Sequence, residues 1–257
     1  MLYKHIYMNS KLEETKKIEK DKQGENYLSL IYSDKRRPMS NYPLKLAREL
    51  IKRDKIKKKS ILLDVGCGRG DMLKAFKDNE MIVEGVDLSE ESINLLSPIK
   101  VHQKNLEEEI LEGKSKYYDI IFSKSLIEHL KSPLKFIQNC KSLLKDDGCL
   151  IILTPSWYHH NFGPFYLDYT HVTPFTLHSL RDIGTLAGFS DVKVEYFYQL
   201  PFTWRYSFLK LIPKLISLFN IPYHPMYEDL IPFKLPNKLN TLVRFSREVM
   251  LYGVMRK

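Results

Sequence analysis

Acidic, glycine and histidine residues have the types and spacing needed for chemistry at several places in the chain. The first place is residues 61–71, ILLDVGCGRGD, where three glycines occupy alternate positions directly after an apolar run. Glycines at such a turn let the backbone approach a ligand closely, and the next helix presents its N-terminus to that ligand. Asp64 precedes this turn, and Asp87 ends the next apolar run. The pattern predicts a nucleoside-containing ligand held between two carboxylates.

The spacing of the glycines separates two classes of ligand. An acid at the end of the second strand suits the two hydroxyls of a ribose, in nicotinamide and methyl-donor enzymes alike. The dinucleotide fingerprint is G-x-G-x-x-G, whereas this turn reads G-x-G-x-G from Gly66 to Gly70. A carboxylate at Asp64 would repel a pyrophosphate but would complement an ammonium group. We therefore expect a ligand whose tail is cationic.

Histidine and aspartate side chains further along the chain are candidates for acting on a second substrate. His129 follows a buried run, and Asp168 and His171 stand together in DYTHVTPF. An oriented histidine–carboxylate pair is what a general base needs, but these side chains could equally serve as a loop clasp and a helix-start hydrogen bond. His159 and His160 add two more nitrogen ligands, yet none of these residues has zinc-like spacing, so we expect no metal.

The elements that must position these residues follow from the alternation of short apolar runs with amphipathic stretches. Such alternation is typical of an α/β fold with a parallel sheet and helices on both faces. Predicted strands cover 61–65, 82–86, 100–103, 118–123, 149–154, 192–198 and 249–255, and the clearest predicted helices cover 43–55, 71–78, 133–144 and 174–187.

Three segments fall outside this alternation and set the predicted domain organisation. Residues 1–60 are predicted to form a basic helical extension and cap before one domain, 61–257. Within that domain, residues 155–173 form a long aromatic-rich connection, and residues 199–241 form an insertion punctuated by prolines. Long irregular connections in compact domains often serve as lids or binding loops. We therefore expect a lid loop and an accessory insertion beside the site.

Charge is distributed unevenly along the chain, and this distribution limits which kinds of binding partner are favoured. Residues 1–60 contain 17 Lys and Arg against 8 Asp and Glu, residues 61–197 contain 14 against 20, and residues 198–257 contain 9 against 3. An acidic centre with basic ends does not favour nucleic acid. It favours a phosphate-bearing substrate, an anionic membrane face or an acidic partner, although the lysines at 55–59 could be a solvated run.

The sequence predicts a cytoplasmic protein. We find neither an apolar run long enough to cross a bilayer nor a secretory signal, and the three cysteines show no paired spacing. The stretch 206–219, YSFLKLIPKLISLF, is apolar on most sides and carries two lysines. It could lie in a membrane interface, pack over the core or form a homodimer contact.

Four motifs in order resemble those of class I S-adenosylmethionine-dependent methyltransferases. They are DVGCGRG at 64–70, EGVDLS at 84–89, YDIIFSKSLIEHL at 118–130 and DDGCLIILTP at 146–155. The pattern D-x-T-H-x-T-P-F further resembles small bacterial methyltransferases of surface-polysaccharide and quinone pathways. The resemblance implies a Rossmann-like seven-stranded sheet in the order 3-2-1-4-5-7-6, with the last strand antiparallel and the insertion before it.

The resemblance also implies a role for each motif residue. Residues of the glycine turn and the strand before it would line the methionine part of S-adenosylmethionine: Asp64, Gly66, Cys67, Gly68 and Gly70. The adenosine would be held through Asp87 at the ribose hydroxyls, Leu88 beside the adenine, and Asn105 and Leu106 at its amino edge. Ser123 and Leu126 would border the methyl group, and His129, Asp168 and His171 are the candidate catalytic residues.

The expected function is methyl transfer to an oxygen or nitrogen of a small polar, phosphorylated acceptor, with S-adenosylhomocysteine as product. Sugar nucleotides, capsule or surface-polysaccharide precursors and phosphorylated amino alcohols fit this description. A quinone-like lipid is the alternative acceptor. RNA is less favoured, because SKSL at 123–126 replaces the [DN]-P-P-[YF] element of adenine methylation. A non-enzymatic scaffold is disfavoured by the intact acids and glycines.

Overall fold

A computed structural model describes residues 40–160, 164–219, 221–223 and 237–257. Residues 1–39 of the predicted extension, and parts of the predicted lid and insertion, lie outside the described residues. One seven-stranded sheet organises the described residues, in the order β3-β2-β1-β4-β5-β7-β6. Only β7 runs antiparallel to its neighbours, β5 and β6. The strands are β1 (Ile61–Val65), β2 (Ile82–Asp87), β3 (Val101–Gln103), β4 (Tyr118–Lys124), β5 (Leu144–Pro155), β6 (Asp191–Phe197) and β7 (Met250–Arg256).

Helices connect the strands and cover both faces of the sheet. They are α1 (Tyr42–Arg53), α2 (Asp71–Asp78), α3 (Glu90–Leu96), α4 (Pro133–Leu143), α5 (Trp157–His160), α6 (Leu177–Leu186), α7 (Phe202–Arg205), α8 (Leu211–Leu218) and α9 (Asn237–Arg247). Short 3₁₀ turns occur at Ile127–His129, Pro164–Leu167 and Ser207–Lys210. The predicted fold class and strand order are confirmed.

The continuous apolar runs of the central strands arise because both faces of the sheet are buried. Successive side chains of a strand point to opposite faces. In β4, Ile121 joins one core cluster, with Phe136 of α4, whereas Phe122 joins the other, with Leu50 of α1. Parallel strands covered on both sides by helices show this uninterrupted apolarity rather than alternation.

The segment before β7 contains a helix that starts inside the predicted insertion. The predicted insertion ended at residue 241, but α9 begins at Asn237 and runs to Arg247, close to the start of β7. Within α9, Val243 and Ser246 are buried, while most of its other side chains are polar or exposed. So sparse an apolar pattern gave little helical signal. The helix packs against α8 and so belongs to the accessory segment as well as to the connection into β7.

Candidate active site at the carboxyl ends of the strands

The turn after β1 is built for close approach of a ligand to the backbone. Gly66, Gly68 and Gly70 all have positive φ angles, of 76°, 50° and 79°. Side chains rarely adopt this region, so glycine is needed there. A Cβ added at Gly66 would lie 3.2 Å from the side chain of Leu126, which follows β4. The predicted glycine turn and the loop after β4 therefore face each other.

Asp64 carries an unsatisfied carboxylate beneath this turn. Its side chain is 3% exposed, and Oδ2 has no hydrogen-bond partner among the described residues. Burial and the nearby Asp87 raise the pKa of Asp64 to about 8, against the opposing effect of Lys124. An ionised carboxylate without a partner is costly to bury. A cationic group in the site would offset that cost.

Asp87, at the end of β2, fastens the glycine turn to the second strand. One of its oxygens accepts a hydrogen bond from the backbone N–H of Gly68 at 2.7 Å, and the other accepts from Ser89 at 3.0 Å. Burial raises the pKa of Asp87, although these backbone amides oppose the rise. The two predicted donor-binding acids thus lie on adjacent strands beside one turn.

Three further predicted donor-binding residues border the ends of β1, β2 and β4. The backbone N–H of Cys67 bonds to the carbonyl of Val86 at 3.1 Å, and its Sγ lies 2.8 Å from where a Cβ of Gly85 would be. Ser123 pairs with Val65 across the sheet, and its buried hydroxyl has no partner in the described part of the chain. Leu88 is 54% exposed at the end of β2.

The two residues predicted beside the adenine amino group stand after β3. Asn105 turns the chain there, since its side-chain oxygen accepts from the N–H of Glu107 at 3.0 Å. Leu106 is buried in the core, and its carbonyl accepts from the amide of Asn139 at 2.9 Å. Their roles toward a ligand stay predictions.

The three candidate catalytic residues come together although they belong to separate parts of the sequence. His129 Nδ1 lies 2.8 Å from the hydroxyl of Thr170, and that hydroxyl donates to Asp168 at 2.5 Å. The rings of His129 and His171 pack edge to face with their centroids 4.6 Å apart. Sequence reasoning grouped Asp168 with His171, and the fold adds His129 to them.

His171 has a defined tautomer because its Nδ1 lies 2.6 Å from the carbonyl oxygen of Phe165. A carbonyl can only accept, so Nδ1 carries the proton and Nε2 has the lone pair. Burial lowers the pKa of His171, with Asp168 and the carbonyl opposing. Burial also opposes ionisation of Asp168, but the two bonds from Thr170 and the nearby histidines outweigh it and lower its pKa.

Glu128 is a site residue that sequence reasoning missed. Its side chain is fully buried, one carboxylate oxygen accepts from Thr154 at 2.9 Å, and Oε1 has no partner among the described residues. Burial raises its pKa to about 7, although several neighbours oppose the rise. A carboxylate within the apolar stretch LIEHL, next to His129, was the signal available in the sequence.

The connection after β5 closes over this cluster. The backbone carbonyl of Glu128 accepts from the N–H groups of Val172 and Thr173, both at 2.9 Å. Trp157 packs on Phe165 at 5.3 Å between ring centroids, and Phe165 packs on His171 at 4.7 Å. Of the other predicted lid aromatics, Tyr158, Tyr166 and Tyr169 are exposed, and Phe162 lies outside the described residues.

The two adjacent histidines of the connection make local contacts with Ser156. His160 is buried, with Nδ1 2.9 Å from the carbonyl of Ser156. His159 Nδ1 lies 3.0 Å from the Ser156 hydroxyl, and its ring packs on Tyr196. Burial lowers the pKa of each histidine to about 4.

Comparisons with known proteins bear on what this arrangement does. A family model described as a methyltransferase domain matches residues 35–194. Curated relatives named ubiquinone biosynthesis O-methyltransferase include one from Coxiella burnetii, 34% identical over 99 residues, or 36% of this chain and 42% of the relative. One from Haemophilus ducreyi is 31% identical over 104 residues, or 36% of this chain and 44% of the relative. The chain therefore spans less than half the length of these relatives.

Solved structures share the fold. A SAM-dependent methyltransferase from Archaeoglobus fulgidus has a TM-score of 0.57 at 21% identity, covering 88% of this chain and 98% of that one. A phosphoethanolamine N-methyltransferase from Haemonchus contortus, in complex with phosphomonomethylethanolamine and S-adenosylhomocysteine, has a TM-score of 0.53 at 17% identity, covering 82% of this chain and 51% of that one. At these identities the likeness establishes the shared fold.

Proposed function

The chain belongs to the methyltransferase-domain family matched over residues 35–194, and its methyl donor is S-adenosylmethionine. We propose that it methylates a hydroxyl oxygen of a lipid-linked, quinone-like aromatic acceptor. The observation that carries the donor site is the buried, unpartnered carboxylate of Asp64 beneath three left-handed glycines. When bound, S-adenosylmethionine supplies a methyl group on a sulfonium, a good leaving group. Asp64 would hold its ammonium, and Asp87 its ribose hydroxyls.

Proton removal from the acceptor is assigned to the histidine cluster. A hydroxyl must lose its proton as its oxygen is methylated, and a neutral imidazole nitrogen with a lone pair can take that proton. His171 presents such a nitrogen, because Nδ1 is committed to the carbonyl of Phe165. Asp168 lies beside it, and its negative charge would stabilise the resulting positive charge.

The acceptor class is inferred from an exposed apolar surface that we call the 205–219 face. No acidic residue occurs between residues 199 and 227, whereas Arg205, Lys210 and Lys214 lie within the face. Large apolar side chains with basic neighbours favour contact with an anionic lipid surface. The exposed apolar side chains are Tyr206, Phe208, Leu211, Ile212, Leu215, Leu218 and Phe219. No helix among the described residues is long and apolar enough to cross a membrane.

The proposal is tested first at the donor site. Calorimetry with S-adenosylhomocysteine should show binding by the wild-type protein and at least tenfold weaker binding by Asp64→Asn, a loss of about 1.4 kcal/mol. Asp78→Asn is the matched control, because Asp78 is an exposed aspartate at the end of α2. Absence of binding by the wild-type protein would refute the proposed function.

The acceptor is tested by mass spectrometry. Protein, S-adenosylmethionine and a prenylated catechol in phosphatidylglycerol vesicles should yield a product heavier by one methylene, and the catechol without its lipid tail should react more slowly. Equal rates for both catechols would contradict a lipid-linked acceptor. Methyl transfer to neither would contradict the aromatic acceptor class.

A phosphorylated polar acceptor is the second candidate. The observations that favour it are the basic excess at both ends of the chain and the phosphorylated ligand in the Haemonchus contortus structure of the same fold. Sugar nucleotides and phosphoethanolamine in the same assay distinguish it, since a lipid-directed enzyme should leave both unmethylated.

A further inference from the structure

Two histidines and a glutamate converge beside the proposed acceptor position. One ligand atom from each of Glu128, His129 and His171 lies within 4.8 Å of the other two. The first two residues stand in the 3₁₀ turn after β4, and the third comes from the connection after β5. Two imidazoles and one carboxylate form a ligand set used by catalytic zinc sites, which keep a further position open.

The two imidazole rings are already oriented as metal ligands usually are. A ligating histidine typically fixes one ring nitrogen through a hydrogen bond and binds the ion with the other. His171 uses Nδ1 on the carbonyl of Phe165, so Nε2 is the ligating nitrogen. The Nδ1 of His129 lies 2.8 Å from the hydroxyl of Thr170, which in turn donates to Asp168.

The unpartnered carboxylate oxygen of Glu128 is an independent observation that favours a cation-binding role. Glu128 is fully buried, and Oε1 meets no hydrogen-bond donor among the described residues. The negative charge of Asp168 raises the pKa of Glu128, and the positive charge of Lys124 lowers it. Leaving a buried carboxylate oxygen unsatisfied is costly, and coordination to a cation removes that cost.

The separation of the ligand atoms is close to what a metal needs. In a tetrahedral site zinc lies about 2.0–2.2 Å from its nitrogen and oxygen ligands, which places two of these ligands about 3.3–3.6 Å apart. The observed limit of 4.8 Å therefore requires the ligand atoms to close by at most about 1.2–1.5 Å. Rotation of Glu128 about its side-chain bonds can supply this movement.

We propose that Glu128, His129 and His171 bind a divalent transition-metal cation that also holds the acceptor oxygen. The proposal deepens the proposed function, since it concerns the same acceptor position. A hydroxyl bound to such a cation has a lower pKa, so its O–H bond breaks with the electron pair left on oxygen and the proton released to water. In the metal-bound enzyme, the cation takes over the acidification that the metal-free site would leave to His171.

Zinc calorimetry on the full chain, after dialysis against a chelator, tests the site. The wild-type protein should bind one equivalent of Zn²⁺, and Glu128→Gln and His171→Ala should each bind it at least tenfold more weakly. His178→Ala is the matched control, because His178 is exposed on α6 and does not belong to the cluster, and it should bind zinc like the wild type. Replacing zinc with Co²⁺ gives a visible spectrum that should disappear in the same two variants.

The outcomes separate this inference from the proposed function. Absence of zinc binding by the wild type, or binding that neither cluster variant weakens, would overturn the metal site while leaving S-adenosylhomocysteine binding intact. Should His171→Ala fail to fold, the nearly isosteric Glu128→Gln decides alone. Loss of S-adenosylhomocysteine binding by the wild type would instead remove the proposed function, whatever the zinc result.

Discussion

At the scale of single residues, the carboxylate of Asp64 makes the free energy of unfolding depend on pH. Burial raises its pKa to about 8 in the folded chain, whereas an unfolded aspartate titrates near pH 4. The folded state therefore holds the proton more tightly, and stability from this group is present at low pH and lost as pH rises from about 4 to about 8.

Asp64→Asn removes this dependence. We expect the gain in unfolding free energy of the variant over the wild type to be about 4 kcal/mol larger at pH 8.5 than at pH 5, because the variant has no buried charge to form as the pH rises. Urea denaturation without donor at both pH values measures the difference. The same gain at both pH values would show that Asp64 does not carry this charge.

Replacing Gly70 by alanine should destabilise the fold in two ways, through backbone strain at a positive φ angle and through steric overlap of the added Cβ. A Cβ at Gly70 would lie 2.1 Å from Cδ2 of Leu96, whereas a Cβ at Gly113 would meet nothing within 4 Å. Both glycines have positive φ, of 79° and 69°. Gly113→Ala should therefore lose about 1–2 kcal/mol from backbone strain, and Gly70→Ala about 1–3 kcal/mol more from overpacking. Urea denaturation of both variants measures this, and equal losses would contradict the packing argument.

Individual site residues differ in how far the sequence reveals them. Asp64, the three glycines and Asp87 form a local pattern within 61–87, and such a pattern can be read directly. Glu128 could not be assigned, because its role arises from burial and from contacts with residues far along the chain. The proximity of His129 to His171 is likewise a product of tertiary structure.

The 205–219 face keeps large apolar side chains exposed, although α9 packs against α8. Leu215 is 58% exposed in α8, and burying a leucine in lipid contributes about 1.5–3 kcal/mol. Leu215→Glu should therefore weaken binding to phosphatidylglycerol vesicles at least tenfold in co-sedimentation. Leu186→Glu is the matched control, since Leu186 is 72% exposed at the end of α6, and it should bind as the wild type does. Equal binding by both variants would exclude this face as the lipid contact.

Element boundaries were predictable where the apolar pattern is strong and less so where contacts decide them. The predicted strand 61–65 matches β1, and the helix 71–78 matches α2. The strand predicted at 149–154 is longer in the structure, because β5 begins at Leu144, which pairs with Tyr118 beyond a register shift. Pairing of this kind leaves no periodic signal in the strand itself.

At the scale of the whole described molecule, the first helix, α1, packs into the core of the sheet. The predicted organisation placed residues 1–60 outside the catalytic domain, yet Leu46, Ala47 and Leu50 of α1 are fully buried in a core cluster with β1, β4 and β5. Asp54, just after the helix, accepts from the hydroxyl of Tyr252 in β7 and from Arg256 at 3.3 Å. These contacts favour one cooperative unit that begins before residue 61.

Leu50→Ala tests whether α1 and the donor site unfold together. Truncating a fully buried leucine costs about 2–5 kcal/mol of unfolding free energy. The urea midpoint should therefore fall, and by the same extent whether it is followed by circular dichroism or by loss of S-adenosylhomocysteine binding. Leu134→Ala, at a leucine that is 36% exposed on α4, should change both midpoints much less. A separate extension would behave differently: the variant would lower the helical signal early and leave the midpoint for ligand binding where it is in the wild type. Agreement of the two probes would place α1 within the cooperative unit that holds the donor site.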